Sequence, residues 1–366
     1  MRVALVISSL GPGGAERVMS LLADALAARG HQVSLITLAH AWDDFYSLDP
    51  RVQRRGLGLV GDSTRILGAV RANIRRIRAL RRAIRTAAPE AVLAFVTRMN
   101  VLALIACLGL HVRVVISERV DPTRHTEGLL WQALCTLTYQ HADAVVVQTE
   151  GIARWFRARL WRRERVVVIP NPVTRAVETE QTGLPPPQPF ILGAGRLVHQ
   201  KGFDILIRAF SLIAADMPKL RLVIAGEGSD AQQLRQLALT LGLECRVLFL
   251  GNVGNLSVLM RNAEVFVLSS RYEGFPNVLL EALASGLPVV STDCPSGPRE
   301  ILGDGEFGLL VPCENPQALA DALRRVATDA DLRRRLSGIG SRATAAYEFG
   351  RVVAGWEAVL SAKALR

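Results

Sequence analysis

The chain has 366 residues, half of them hydrophobic, and a formal net charge of +11. That length exceeds one ordinary core and suggests two domains of roughly 150 to 200 residues. The five cysteines (Cys107, Cys135, Cys245, Cys294, Cys313) form no CxxC pair, which argues against a zinc site or disulfide framework and fits a reduced, cytoplasmic setting.

The opening stretch MRVALVISSLGPGGAERV breaks into a glycine turn where a signal peptide would carry its cleavage site. Arg2 to Ile7 reads as a buried strand, the glycine loop opens a helix ending at Gly30, and HQVSLITLA is the next strand: β-loop-α-β. Thr64 to Glu90 reads as a helix. At 100° per residue Arg71, Arg75, Arg78, Arg82 and Arg85 fall within about an 80° stripe beside an apolar one of Val70, Ile77, Leu80 and Ile84. That stripe is either a solvated face or a basic surface for an anionic partner; no aromatic or groove motif supports nucleic acid.

Ala91 to Leu110 is the one segment that tempts a membrane reading. Arg98, Met99 and Asn100 interrupt it, and the remaining run is short of the roughly 20 residues a span needs, so a strand and a buried helix are expected. Strands VRVVISE, ADAVVVQT and RVVVIPNPV follow, and the polar, proline-rich 173–188 reads as a linker. Up to Pro172 the chain holds 24 arginines against 13 acidic residues, and the remainder balances. The first half is therefore expected to meet an anionic surface or substrate.

The same α/β grammar restarts over 189–345, and two such domains are expected to leave a ligand-binding cleft at the carboxyl ends of their sheets. GAGRLVHQKGFDIL puts Arg196 and Lys201 on a loop between strand and helix, where they could clamp a diphosphate or remain a solvated basic loop. AGEGSD and GNVGN, the latter holding Val253, are glycine turns; the backbone of the second could face a flat base. In YEGFPNVLLEALASGLPVV two glutamates stand eight residues apart. Pro276 suits the first helical position and Asn277 the helix entry, so the amides near Asn277 to Leu279 form an anion site. Glu281 then suits the hydroxyls of a ribose, and Glu273, on the loop, those of a sugar beyond a diphosphate. A sugar nucleotide fits both. Pro316 to Leu336 and Phe349 to Leu365 read as closing amphipathic helices. Asp329 and Asp331 read as charges between helical segments, and Asp43 and Asp44 as loop charges; no metal site is expected.

GRLVHQKG followed by EGFPNVLLEALASGLPVV resembles the retaining GT-B glycosyltransferases marked by Glu-x7-Glu, over nearly the whole chain. The resemblance implies two Rossmann-like open-sheet domains facing across a cleft, with a C-terminal helix (about 346–366) packing back on the first. It implies a UDP-sugar donor bound without metal or other cofactor. Arg196 and Lys201 would hold the diphosphate and Glu273 the donor sugar, with Glu281 on the ribose. Gly274, Phe275, Pro276, Asn277 and Val278 would lie near the phosphates, and Gly13, Gly14 and Val253 would complete the donor set. SLGPGGAERV, VISERVDP and TDCPSGPREIL bring the chain closer to bacterial transferases that build polyprenyl-diphosphate-linked glycans. Their likeness implies a lipid-linked acceptor at the inner face of an anionic membrane, met by Arg17, Arg75, Arg78, Arg82, Glu118 and Arg119. Where many relatives carry a histidine after a strand, this chain has Ser117, Glu118 and Arg119. Retaining transfer by front-face attack needs no enzyme nucleophile; Glu118 is either an alternative base or a salt-bridge partner of Arg119 or Arg124. The competing readings are an inactive UDP-sugar-binding protein and a dinucleotide-dependent oxidoreductase, the latter from an imperfect GxGxxG in GPGGAER.

Overall fold

The computed structural model describes residues 1–61, 66–122, 128–173, 186 and 188–362. Arg124 and most of the proline-rich stretch lie outside the described residues. The chain divides into two compact units, Met1–Pro172 with Phe349–Arg366, and Val173–Glu348.

In the first unit the strands are β1 (Arg2–Ile7), β2 (Gln32–Thr37), β3 (Gln53–Gly56), β4 (Ala91–Phe95), β5 (Arg113–Ser117), β6 (Ala144–Val147) and β7 (Val166–Val168). The helices between them are α1 (Gly14–Ala28), α2 (Ile66–Ala87), α3 (Thr97–Cys107), α4 (Leu129–Tyr139) and α5 (Glu150–Arg157). The sheet is parallel, in the order β3-β2-β1-β4-β5-β6-β7. Its central strands are buried on both faces, and for this reason they read as unbroken apolar runs. One face is covered by α2, α3, α4 and α5 around Leu80, Met99, Leu102 and Phe156. The other is covered by α1 and the C-terminal helix, whose Trp356 lies 5.6 Å from the ring of Phe95.

The second unit holds β8 (Phe190–Ala194), β9 (Arg221–Ala225), β10 (Val247–Gly251), β11 (Val265–Leu268), β12 (Val289–Thr292) and β13 (Leu309–Val311). Its helices are α6 (Phe203–Ala214), α7 (Ala231–Thr240), α8 (Leu256–Asn262), α9 (Asn277–Ala284), α10 (Pro298–Ile301), α11 (Pro316–Thr328), α12 (Ala330–Gly338) and α13 (Gly340–Thr344); α14 (Phe349–Ser361) belongs to the first unit. The strand order is β10-β9-β8-β11-β12-β13, again parallel. Helices α6, α7, α11 and α12 fill one face, and α8, α9 and α13 the other.

Three local features differ from the sequence reading. β3 is Gln-Arg-Arg-Gly, a polar edge strand with no apolar run to announce it. The single helix expected over Pro316 to Leu336 is broken at Asp329, whose carboxylate accepts from the Leu332 N–H at 2.9 Å and caps α12. Pro276 stands one place before the first helical residue of α9, at its N-cap. The segment that tempted a membrane reading is β4 and α3, and among the described residues no helix is long and apolar enough to cross a membrane.

Candidate active site

The carboxyl ends of β8 and β11 lie side by side because those strands pair, and this brings two distant loops together. Gly202, with φ of +62°, approaches so closely that a Cβ there would lie 2.1 Å from the Ser269 carbonyl oxygen. No other residue fits that position without displacing the loop. Ser269 Oγ then donates to the Lys201 carbonyl at 2.9 Å, which holds Lys201 against the end of β11. Lys201 Nζ donates to Glu273 Oε1 at 2.6 Å, and Ser270 Oγ donates to the same oxygen at 2.5 Å. Glu273, which could have been a loop charge, is only 4% exposed. A carboxylate taken so far from water needs such partners.

The loop that carries it is anchored to its neighbours. Arg271 donates to both Asp204 oxygens at 2.8 and 2.7 Å and to the His199 carbonyl at 2.7 Å. Burial works against ionisation of Asp204, yet the hydrogen bonds and charge of Arg271 hold its carboxyl below the ordinary value. Gln200 Nε2 donates to the Tyr272 carbonyl at 3.0 Å, and the Arg271 N–H to that of Gln200 at 2.8 Å. Arg196, five residues before Lys201, is exposed, and its side chain has no partner among the described residues. The structure thus joins Lys201 to Glu273 and leaves Arg196 open to solvent.

Glu281 is part-buried on α9. The expected row of amides at its start is only partly open: the Asn277 N–H donates to Phe275 O and the Leu279 N–H to Pro276 O, both at 3.0 Å. Gly274, Phe275 and Val278 are part-exposed and Pro276 is buried. Val253, part-exposed, follows β10 just before Asn255, which caps α8 through the Ser257 N–H. Among the described residues no three His, Cys, Asp or Glu side chains gather as metal ligands.

In the first unit Gly13 caps α1, and the Glu16 carboxylate folds back over it, so a Cβ on Gly13 would lie 2.1 Å from Glu16 Oε2. Gly14 is exposed, and Arg17 is half-buried one turn along α1. At the end of β5, Glu118 is buried and fully engaged. Oε1 accepts from Thr97 Oγ1 at 2.8 Å and the Arg119 N–H at 3.2 Å, and Oε2 accepts from Tyr139 Oη at 2.8 Å. Burial, with the Glu118 charge, holds the Tyr139 hydroxyl well above its ordinary pKa. Thr97, Glu118 and Tyr139 border a pocket of about 310 Å³ walled by Val120, Trp155, Phe156 and Leu160.

Of the two salt bridges expected for Glu118, the one to Arg119 is not formed, and Arg124 lies outside the described residues. The Arg119 guanidinium turns over the Phe95 ring, 4.1 Å from its centroid, and both Nη atoms are shut off from solvent with no hydrogen-bond partner among the described residues. Burial pulls its pKa down to about 9, against the charges of Glu118 and Glu16. On α2, Arg71, Arg75, Arg78, Arg82 and Arg85 are all exposed. Arg78 and Arg82 border an open groove of about 700 Å³ together with Arg55 and Leu57.

Ser270, Thr97 and Tyr139 escaped the sequence reading. The Ser-Ser pair before Tyr-Glu-Gly could have pointed to Ser270, whereas nothing local marks Tyr139, which reaches Glu118 from 21 residues away.

Comparison with known proteins agrees with this architecture. Residues 13–172 match the model described as a glycosyl transferase 4-like domain, and residues 174–342 that of glycosyl transferases group 1. The chain is 32% identical to an N-acetylgalactosamine-N,N'-diacetylbacillosaminyl-diphospho-undecaprenol 4-alpha-N-acetylgalactosaminyltransferase of Campylobacter jejuni, over 91% of this chain and 92% of that one. It is 28% identical, over 97% of each, to a second alpha-1,4-N-acetyl-D-galactosaminyltransferase of the same organism, which acts on a diphosphoundecaprenol-linked glycan. Among solved structures, Anabaena HepE in complex with UDP superposes with a TM-score of 0.75 at 19% identity, covering 99% of this chain and 100% of that one. The two parallel-sheet units, the matched models and the full-length relatives agree: the chain belongs to the group 1, GT4-like glycosyltransferases and has the GT-B fold.

Proposed function

We propose that the protein transfers a hexose or N-acetylhexosamine from a UDP-sugar to a polyprenyl-diphosphate-linked glycan, with retention of anomeric configuration and without a metal ion. The observation that carries the donor half is the buried Lys201–Glu273–Ser270 contact at the carboxyl edge of the second sheet. Glu273 is the carboxylate for the donor sugar's hydroxyls. Lys201, already beside it, and the open Arg196 supply positive charge to the leaving diphosphate. Glu281 takes the ribose hydroxyls.

In the transfer, the acceptor oxygen bonds to the anomeric carbon as the bond from that carbon to the phosphate oxygen breaks. The acceptor proton passes to the departing phosphate oxygen. Glu118 supports this front-face route by default, since both of its oxygens are engaged by Thr97, Tyr139 and the Arg119 N–H. The two Campylobacter relatives act on diphosphoundecaprenol-linked acceptors, which supports the acceptor half. The basic face of α2 suits an anionic diphosphate or leaflet. Apolar Leu129, Leu130 and Leu137 are exposed on α4, and α2 and α4 both pack on α3, so a peripheral position at the inner membrane face fits.

The test is a panel of UDP-sugars with a short-chain lipid-diphosphate glycan, with and without excess EDTA, and NMR of the product linkage. An α-linked product from an α-linked donor, formed in EDTA, is the expected result. An inverted linkage, or loss in EDTA restored by manganese or magnesium, overturns the corresponding part of the proposal.

A further inference from the structure

The loop after β2 presents two large aromatic rings to solvent: Trp42 is 78% exposed and Phe45 66%. Burying such a side chain would contribute about 1.5–3 kcal/mol, so a fixed exposed pair points to a ligand. The pair is fixed. Trp42 lies flat on His40 with ring centroids 3.9 Å apart and an interplanar angle of 12°. His40 in turn packs against Gly58, φ +63°, where a Cβ would come within 2.3 Å of the imidazole. Phe45 meets Tyr46 edge-on at 5.0 Å, and its N–H donates to the Leu10 carbonyl at 2.9 Å. Tyr46 Oη donates to the Gly13 carbonyl at 3.2 Å. Asp44 accepts from two nitrogens of Arg54 at 2.6 and 2.7 Å, and Arg54 also reaches Thr37 Oγ1 at 2.7 Å.

These bonds place the rings at the carboxyl edge of β1 and β2, tied to the glycine loop that starts α1. We infer that Trp42 and Phe45 form a stacking platform for a sugar ring of the acceptor glycan, a reading that rests on the proposed transfer to a glycan-bearing acceptor. One face of the Trp42 indole is covered by His40, which leaves the other for a ligand. A pyranose offers a face of C–H groups carrying partial positive charge, and the negative face of an aromatic ring attracts it. Asp43, exposed beside Trp42, can accept from the sugar's equatorial hydroxyls, a role closed to Asp44 by Arg54. A lipid headgroup surface is the poorer occupant. From Gly30 to Pro50 there is no lysine or arginine, while Asp43, Asp44 and Asp49 are present, and an anionic leaflet repels such a loop.

The test uses the full chain with two probes: a soluble N-acetylhexosamine trisaccharide, followed by saturation-transfer NMR, and a short-chain lipid-diphosphate glycan, followed by transfer kinetics. Trp42→Ala with Phe45→Ala should abolish saturation transfer to the trisaccharide and raise KM for the lipid-linked glycan about tenfold, equivalent to about 1.4 kcal/mol. Trp42→Phe, which restores a ring, should recover most of both. Trp161→Ala is the control. That residue is 85% exposed between α5 and β7, at the amino edge of the same sheet, and should change neither. Melting curves should match throughout because both platform rings are already in solvent. Unchanged saturation transfer and KM in the double variant overturn the inference, as does an absence of trisaccharide contact in the wild type. If the wild type contacts the trisaccharide through these rings yet transfers nothing to any lipid-linked glycan, the platform stands and the proposed acceptor falls.

Discussion

Lys201 Nζ lies 2.6 Å from Glu273 Oε1, with the lysine side chain 15% exposed and the glutamate 5%. In that setting the attraction between the two charges is little screened. Lys201→Ala should therefore destabilise the second unit by about 3–5 kcal/mol, the usual consequence of stranding one buried charge. Glu273→Gln keeps the shape and an oxygen for Lys201 and Ser270, so its loss of stability should be markedly smaller. Both should lower turnover by about two orders of magnitude. Arg196→Ala should lower turnover to a similar extent with an unchanged melting temperature, since Arg196 is exposed and its side chain has no partner among the described residues. Denaturant titration beside transfer rates checks the set, and near-normal transfer in Arg196→Ala would remove it from the diphosphate.

The two glutamates of the Glu-x7-Glu segment differ in setting, one buried before α9 and one part-exposed on it. Calorimetry with UDP should show weakened binding in Glu281→Ala and nearly unchanged binding in Glu273→Gln. Transfer should fall in both. Equal losses of UDP affinity would merge the two roles into one.

Among the described residues Arg119 has no ionic or hydrogen-bonded partner for its terminal nitrogens. Replacing it with methionine should leave the first unit as stable or more stable, by about 1–2 kcal/mol, because an unpaired buried charge costs more than an apolar side chain of similar length. KM for the lipid-linked acceptor should rise in the same variant. The pH dependence has a definite sign. With the folded-state pKa lowered to about 9 by burial, the folded chain sheds this proton before the unfolded chain does. Wild-type stability should thus gain on the variant as pH rises above about 9, and the deficit should be complete below it. A gap independent of pH between 7 and 10.5 would contradict the charged, unpaired state.

The α2 stripe separates surface electrostatics from donor chemistry. Replacing Arg75, Arg78 and Arg82 with glutamine should leave UDP affinity as it is. Transfer to a polyprenyl-diphosphate acceptor should weaken, and liposome binding should lose much of its salt sensitivity, since exposed charges act through a screened field. Unchanged kinetics and unchanged vesicle binding would make this face a solvated one.

The two α/β units, the strands Arg2–Ile7 and Ala91–Phe95, and the position of Arg196, Lys201, Glu273 and Glu281 at strand ends and helix starts could all be read from the chain. Each is a local pattern: a buried parallel strand must be apolar throughout, and an anion site needs cations or amides within a few residues. β3 could not be read in this way, because an edge strand with half its side chains in water carries no apolar signature. The partners of the charged groups were also decided elsewhere. Lys201 and Glu273 are 72 residues apart and meet because β8 and β11 are neighbours in the sheet. Glu118 takes Tyr139 and Thr97 in place of Arg119, whose guanidinium is drawn to the Phe95 ring on the adjacent strand. Trp42 and Phe45 become a candidate sugar platform only because Tyr46 ties their loop to Gly13 and Asp44 ties it to Arg54 of β3. Strand order and side-chain burial set these pairings, and both are properties of the packed sheet that no single stretch of sequence contains.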